Sequence, residues 1–306
     1  MLTQDIILLC VVFVSLAGGI LLPAVGALFH PFLLLFLMIV LFLSFLTIQP
    51  RDIVRLFREQ GKAVLWLTFL KLILLPVAVY FIFLPILPAY APSALLLAGV
   101  SAGVVAPFIA TLLSANAALV LVLVVITSLF LPFTLPFLVK MLLGQTMEIS
   151  LVVMMRMLAL VIFLPLAAVR SVQVFLPRAI RPILRARYVL TLMIFAATNM
   201  GVFSEYSEFF YRNPRTILEA TGVAVLLGAL FLVLGFFSLG NAPAGDRLAA
   251  AISMTNVNNM LILVFAARFF GPLESSIAAM YLIPFYGLIV PLRMIGHLKG
   301  KGVTAP

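Results

Sequence analysis

Amide and hydroxyl side chains are concentrated in the stretch SMTNVNNML, residues 253–261, which lies between two long apolar runs. Its Thr255, Asn256, Asn258 and Asn259 are candidates for binding a polar solute, because an amide carries more donors and acceptors than one helix can satisfy. In a membrane, a helix that such residues interrupt must be buried in protein or line a water-filled cavity. The stretch therefore predicts a broken helix at a solute-binding site.

A second interruption is predicted in GVSAGVVAPFIATLLSANA, residues 99–117, where Pro107 lacks a backbone N–H and collides with the preceding turn. The polar residues of this stretch are further candidates for the solute site: Ser101, Thr111, Ser114 and Asn116. The three hydroxyls could instead bond to their own helix one turn back. Two broken helices that face each other would present N-termini, which favour an anion, and C-termini, which favour a cation.

A single lysine, Lys71 in WLTFLKLILLP, lies nine residues after Lys62, or roughly 13 Å further along a helix. An ionisable residue this deep in a membrane is a candidate for function, including the transport of a coupling proton. The alternative is that its side chain snorkels to the cytoplasmic interface. Two roles are equally open for Asn199, which is next to Thr198 in FAATNMGVF: it could belong to the solute site, or it could make an interhelical hydrogen bond.

The elements that position these residues follow from the composition, which is 65% hydrophobic and 9% charged in 306 residues. This matches a chain surrounded by lipid, and each crossing needs about 20 apolar residues. We predict an all-α polytopic membrane protein with ten transmembrane helices. The predicted spans are 6–22, which we interpret as a retained helix, 32–48, 63–84, 93–116 (broken), 118–139, 149–169, 188–205, 216–239, 246–268 (broken) and 274–294.

The net charge of +10 follows from membrane topology and needs no nucleic-acid partner. With the N-terminus inside, most basic residues lie on the cytoplasmic side: Arg51, Arg55, Arg58, Lys62, Arg170, Arg178, Arg181, Arg185, Arg187, Arg247, Arg293, Lys299 and Lys301. Few lie outside: Lys140, Arg156, Arg212, Arg215 and Arg268. This predicts a multi-pass protein of the cell (inner) membrane, with both termini cytoplasmic and membrane lipid as a partner. Arg156 and Arg268 are expected to snorkel at the outer interface.

Enzymatic, metal and cofactor chemistry have no candidate residues. Cys10 is the only cysteine, and His30 and His297 lie near span ends, so no Cys/His cluster could hold a metal. No paired carboxylates and no His are predicted at mid-membrane, and the sequence has no Gly-rich phosphate loop. We therefore predict a protein that is not an enzyme, with no cofactor and no catalytic residue.

Two similar stretches lie about half a chain apart. LPF at 131–133 is followed by Lys140-Met141, and IPF at 283–285 is followed by Arg293-Met294. Five spans per half is an odd number, so the second half would enter the membrane from the opposite side, as in the inverted repeats of secondary transporters. The predicted repeats are 1–145 and 146–296, followed by a cytoplasmic tail at 297–306. Each broken span is the fourth of its half.

Several motifs resemble the bile acid:sodium symporter family. ANAAL at 115–119, TS at 127–128, Pro132, Pro136 and a closing LLG are similar to its fourth and fifth helices, and residues 246–266 to its ninth. The resemblance implies a panel and a core, with helices four and nine crossing at their unwound centres. It also implies transport of an amphipathic organic anion or a similar small solute, with two sodium ions bound behind the crossing.

This chain departs from the family at the sodium site. The positions that correspond to sodium-binding side chains hold Ala106, Pro107, Val120, Val124 and Met254, or Ser253 in place of Met254 if the alignment shifts by one residue. Lys71 lies five residues before Pro76, where the family often has a sodium-binding Gln. Our hypothesis is that the Lys71 ammonium replaces a bound cation and donates to Asn258, Asn259 or backbone carbonyls at the second break.

These observations predict a symporter-like secondary transporter of a small organic anion, bile-acid-like or another carboxylate, that works by alternating access. We do not expect coupling to two sodium ions as in typical relatives; proton or sodium coupling stays open. The alternative is a receptor or scaffold that does not transport, or a channel, with the same fold.

Overall fold

The computed structural model describes residues 2–46, 50–144 and 150–287. In this part of the chain the regular structure is helical, and the only β-type pairing is one isolated bridge. The α-helices are α1 (Leu2–Leu21), α2 (Pro23–Gly26), α3 (Leu33–Phe45), α4 (Pro50–Phe69), α5 (Leu75–Ile86), α6 (Ala91–Gly99), α7 (Ala106–Leu112), α8 (Ala117–Leu143), α9 (Leu151–Phe175), α10 (Pro177–Glu205), α11 (Ser207–Arg212), α12 (Arg215–Phe237), α13 (Ala244–Thr255), α14 (Asn259–Phe269), α15 (Pro272–Met280) and α16 (Leu282–Gly287).

Within those residues, six helical segments are long and apolar enough to cross a bilayer: Pro23–Phe45, Arg55–Ile86, Ala117–Leu143, Leu151–Phe175, Pro177–Glu205 and Arg215–Phe237. On α8, Phe130, Phe133 and Phe137 lie on one helical face and are 54%, 50% and 53% exposed. Large apolar side chains exposed in this pattern suit a lipid-facing surface. The chain is an all-α multi-pass membrane protein.

Several helices extend beyond the predicted spans. α10 begins at Pro177, whereas the predicted span began at 188, because the Arg-rich stretch before the apolar run is also helical. Hydropathy detects only the apolar part of such a helix. Residues 288–294 of the last predicted span, the tail at 297–306 and His297 lie outside the described residues.

The helices form two compact units, each with residues from both halves of the sequence. Unit 1 contains α1–α3, α9–α11, the first part of α12, α14 and α15. Its helices pack closely: a Cβ added to Gly26 would lie 2.5 Å from the carbonyl oxygen of Met200 on α10. The Asn199 amide nitrogen donates to Ser15 Oγ at 3.2 Å, and His30 pairs with Glu205 at 2.8 Å.

Unit 2 contains α4–α8, the rest of α12, α13 and α16. A π-helical turn, Leu70–Leu74, joins α4 to α5. The long α8 packs against α4, α6, α7 and α13. Many buried side chains of α13 are small. Ala249, Ala250 and Ala251, for example, are fully buried. Small side chains allow backbones to approach closely in membrane helices, and in unit 2 they bring α13 near the first interrupted stretch.

Candidate functional site

The first interrupted stretch breaks just before Pro107. α6 ends at Gly99, Val100 is extended (φ −71°, ψ 154°), and α7 begins at Ala106 with Pro107 in its first turn. Pro107, to which the sequence analysis attributes the interruption, therefore lies in the first turn of the helix that follows the break. A proline is tolerated there because the first N–H groups of a helix have no intrahelical partner.

The second interrupted stretch breaks between α13 and α14, at residues 256–258. Within unit 2 it pairs with the first break as a short antiparallel bridge between Ala102 and Val257. Gly103 N donates to Asn256 O at 2.6 Å, and Asn258 N donates to Ser101 O at 2.9 Å. Each segment thus donates one hydrogen bond to the other. These two bonds replace backbone bonds that are lost where the helices end. We call these paired segments, together with the last turn of α13, the crossing; it comprises residues 100–105 and 253–258.

Lys71 lies at the crossing, with its side chain only 1% exposed. Its Nζ donates to the carbonyl oxygen of Met254 at 3.2 Å and lies 5.4 Å from the centroid of the Phe231 ring. The side chain is buried inside unit 2 and does not snorkel to an interface. Its acceptor is a backbone carbonyl at the second break, one of the contacts that the hypothesis expected. Among the side chains that the structure describes, it is the one charged group that is buried.

The π-helical turn that carries Lys71 was not predicted. It ends two residues before Pro76, which lies in the first turn of α5 and cannot donate a backbone hydrogen bond. A proline displaces the preceding turn of a helix, and a π-turn is one way to accommodate it. Such turns recur at functional sites because they redirect a side chain. The signal in the sequence was the spacing of Lys71 and Pro76.

Thr127 and Tyr281 bond to the backbone of the crossing, and neither was predicted to be a site residue. Thr127 Oγ1, on α8, accepts from Ala102 N at 3.1 Å. The Tyr281 hydroxyl donates to Thr255 O at 2.7 Å. Asn256 Nδ2 donates to the carbonyl of Phe285 at 3.2 Å. A lone Thr or Tyr in an apolar run carries little signal, because its partner lies far away in sequence.

Two buried hydroxyls belong to the segments that form the crossing. Ser101 is fully buried and Ser253 is 2% exposed. Within the described part of the chain, neither Oγ has a hydrogen-bond partner. Buried hydroxyls are usually satisfied, so such groups call for an explanation. The Thr255 hydroxyl differs, since it donates to Ala251 O on its own helix at 2.8 Å.

Three predicted site residues lie at the other end of α13. Asn116 caps the N-terminus of α8 by accepting from Leu119 N at 3.0 Å, and its Nδ2 donates to Asp246 at 2.7 Å and to Gln60 at 3.3 Å. Its backbone N–H donates to Gly245 O.

Because Gly245 precedes Met254 by nine residues, Asn116 is roughly 14 Å along α13 from the Lys71 contact. Thr111 and Ser114 are exposed near Asn116, and Thr111 bonds to Pro107 O, one turn back. Asn116, Thr111 and Ser114 are not brought together with Lys71, because α7 carries the chain away from the break.

Asn199 and Asn259 belong to unit 1. Asn199 is fully buried and makes the interhelical bond to Ser15 that the sequence left open. Asn259 is the first residue of α14, and among the described residues neither polar atom of its buried side chain has a partner. Their part in binding a solute stays a prediction.

In the described residues, the crossing brings together Lys71, Ser101, Thr255, Asn256 and Asn258, and no group of three or more His, Cys, Asp or Glu could hold a metal. One ammonium, unpaired hydroxyls and helix ends can bind a small anion by charge and hydrogen bonds. In comparisons with known proteins, no family profile and no curated protein matches this chain.

Proposed function

We propose that this protein is a secondary transporter of a small organic anion that works by alternating access, with the anion bound at the crossing beside Lys71. The observation that carries the proposal is the buried Lys71 ammonium at two broken and mutually paired helices. Discontinuous helices at mid-membrane are the usual substrate sites of secondary transporters. Irregular backbone at that depth is tolerated only when it is buried or lines a cavity.

The charge balance of the crossing favours an anionic solute. An ammonium has three donors, and Lys71 gives one to Met254 O. No carboxylate of the described residues pairs with it, and the sequence has none between Asp246 and Glu274. A buried charge is costly unless it is paired. A carboxylate solute would supply the missing negative charge and accept the remaining N–H groups.

The hydroxyls of Ser101 and Ser253 support the same site. Both are buried in the segments that form the crossing, and in the described residues both lack partners. A carboxylate has about four acceptor positions, so it can accept from an ammonium and two hydroxyls together. A purely structural lysine at this place would leave these two hydroxyls unexplained.

We further propose that the chain has the architecture of the bile acid:sodium symporter family. Ten spans would form two inverted repeats, 1–145 and 146–296, in the inner membrane with both termini cytoplasmic. The pairing of the two broken segments, each the fourth of its half, supports this arrangement. Met254, whose carbonyl binds Lys71, is the position that corresponds to the family's carboxylate in one alignment. Lys71 would then take the place of a sodium ion.

Two experiments test this proposal in sequence. The purified full chain is first screened by thermal shift against organic anions, from cholate to small monocarboxylates, in sodium and in choline buffers. The anion that stabilises it most is then measured in proteoliposome counterflow for the wild type, Lys71→Gln and Lys62→Gln. Lys62 is the matched control, because it is an exposed lysine on the helix that leads into Lys71.

We expect saturable counterflow that is equal in sodium and choline. Lys71→Gln should weaken anion binding about 30-fold or more, the usual cost of removing one partner of a buried charge pair. Lys62→Gln should behave as wild type. Strong sodium dependence would overturn the replacement of sodium by Lys71. Binding without flux would indicate a receptor, and single-channel currents would indicate a channel.

A further inference from the structure

Unit 1 contains a cavity of about 230 Å³ where α3 and α9 begin and α14 ends. Most of its lining is apolar, including Leu34, Met38, Leu160 and Phe269. Two arginines, Arg156 and Arg268, also line it. A basic and apolar lining together is suited to an amphipathic anion, because one part of the ligand needs charge and the other needs apolar contact.

The position of these arginines is unusual for the predicted topology. In the predicted topology, the spans 32–48 and 149–169 begin on the outer face and the span 246–268 ends there. The cavity lies where α3 and α9 begin and α14 ends. Only five of the 19 basic residues are predicted on that face, as the positive-inside rule requires. Two of the five line this one cavity. Both side chains are exposed, and no carboxylate of the described residues forms an ion pair with either.

We propose that this cavity binds an anionic phospholipid of the outer leaflet, with the phosphate held by Arg156 and Arg268 and part of an acyl chain against the apolar lining. A guanidinium donates two parallel hydrogen bonds to phosphate oxygens, so two arginines can hold one headgroup. The site is separate from the proposed transport site and does not depend on it.

The size of the cavity favours a lipid over an enclosed solute. Pockets that bury most of a drug-sized ligand usually measure roughly 300–1,000 Å³, and this cavity is smaller. It can hold a headgroup or part of a chain, while the rest of the molecule stays in the bilayer. Because the rest of a bound phospholipid would stay among the lipids of the bilayer, the site needs no further enclosure.

Native mass spectrometry of the full chain in neutral detergent tests the proposal. The protein is titrated with dioleoyl phosphatidylglycerol or dioleoyl phosphatidylcholine, and the bound lipids are counted. Phosphatidylglycerol should bind more tightly. Arg156→Gln and Arg268→Gln should each weaken it about fivefold, since a basic residue near anionic lipid contributes about 1 kcal/mol. Arg170→Gln is the matched control, because it is exposed on the same helix as Arg156 and outside the lining.

Two further measurements distinguish binding of the whole lipid from binding of its headgroup alone and from misfolding of the arginine variants. Leu160→Trp keeps both charges but fills part of the cavity, and should also weaken lipid binding. Glycerol 3-phosphate, which has the charge without acyl chains, should not displace the lipid. Equal binding of the two lipids, full displacement by glycerol 3-phosphate, or single arginine variants that bind as wild type would each overturn the proposal.

Discussion

Gly103→Ala tests the crossing directly, because a side chain there meets only backbone. An added Cβ would lie 2.5 Å from Val257 O and 2.9 Å from Asn256 O. Contacts under about 3 Å between such atoms are strongly repulsive, and no side-chain rotation relieves them, since both oxygens belong to the extended segment. The two segments must therefore move apart.

The loss of folding stability follows from the hydrogen bonds that this movement strains. Gly103 N to Asn256 O at 2.6 Å and Asn258 N to Ser101 O at 2.9 Å are the two bonds across the crossing. A buried donor or acceptor left without its partner costs about 1–3 kcal/mol. Allowing for partial relaxation, we expect the free energy of unfolding to fall by about 2–4 kcal/mol, and the melting temperature of this 306-residue chain to fall by roughly 3–6 °C.

The assay is thermal unfolding of the purified protein in detergent, followed by anion binding at a temperature where both proteins are folded. Gly222→Ala is the matched control, because nothing lies within 4 Å of an added Cβ and the position is helical. Alanine is favoured over glycine in a helix, so this variant should melt at the same or a slightly higher temperature. A Gly103→Ala protein that melts within about 1 °C of the wild type would refute the close backbone pairing.

Three other substitutions separate the roles of individual residues. Thr127→Val removes the acceptor of a buried N–H in the first break and should destabilise by about 1–3 kcal/mol, whereas Thr134→Val, which loses only a bond to its own helix, should melt as wild type. Asn116→Ala should lower the free energy of unfolding by about 1–2 kcal/mol, because the helix cap and its hydrogen bonds are lost, but should keep its anion affinity. A large loss of affinity would show that Asn116 is a residue of the solute site. Lys71→Met should fold with equal or higher stability, as buried charges replaced by apolar residues often do, yet lose anion binding; unchanged binding would contradict the charge role.

The positions of the two breaks could be predicted from the sequence because each break carries a local signal. Pro107 cannot continue a helix, and Asn256 and Asn258 compete for backbone bonds. The hydrogen bonds between the breaks could not be predicted, because they depend on how α6, α8 and α13 pack. The bridge between Ala102 and Val257 joins residues that have no distinguishing side chain.

Neighbours in sequence are not always neighbours in space, as Asn116 and Thr127 show. Asn116 follows Ser101 by fifteen residues, but α7 intervenes, and the Asn116 amide caps α8 beside Asp246. Thr127 is further from Ser101 in sequence, yet it bonds to Ala102, because α8 runs back past the break. A polar residue that caps a helix looks the same in a sequence as one that binds a solute.

Lys71 is physically compatible with the crossing because of the helix that ends there. The last carbonyls of α13 have no intrahelical partners, and together they carry about half a negative charge. Asn256 N, the Tyr281 hydroxyl and Lys71 satisfy three of them. A cation can therefore bind at this helix end without a carboxylate, but half a charge does not neutralise an ammonium. The remaining positive charge is the physical reason to expect an anion, and it makes Lys71 the residue whose removal should separate binding from folding.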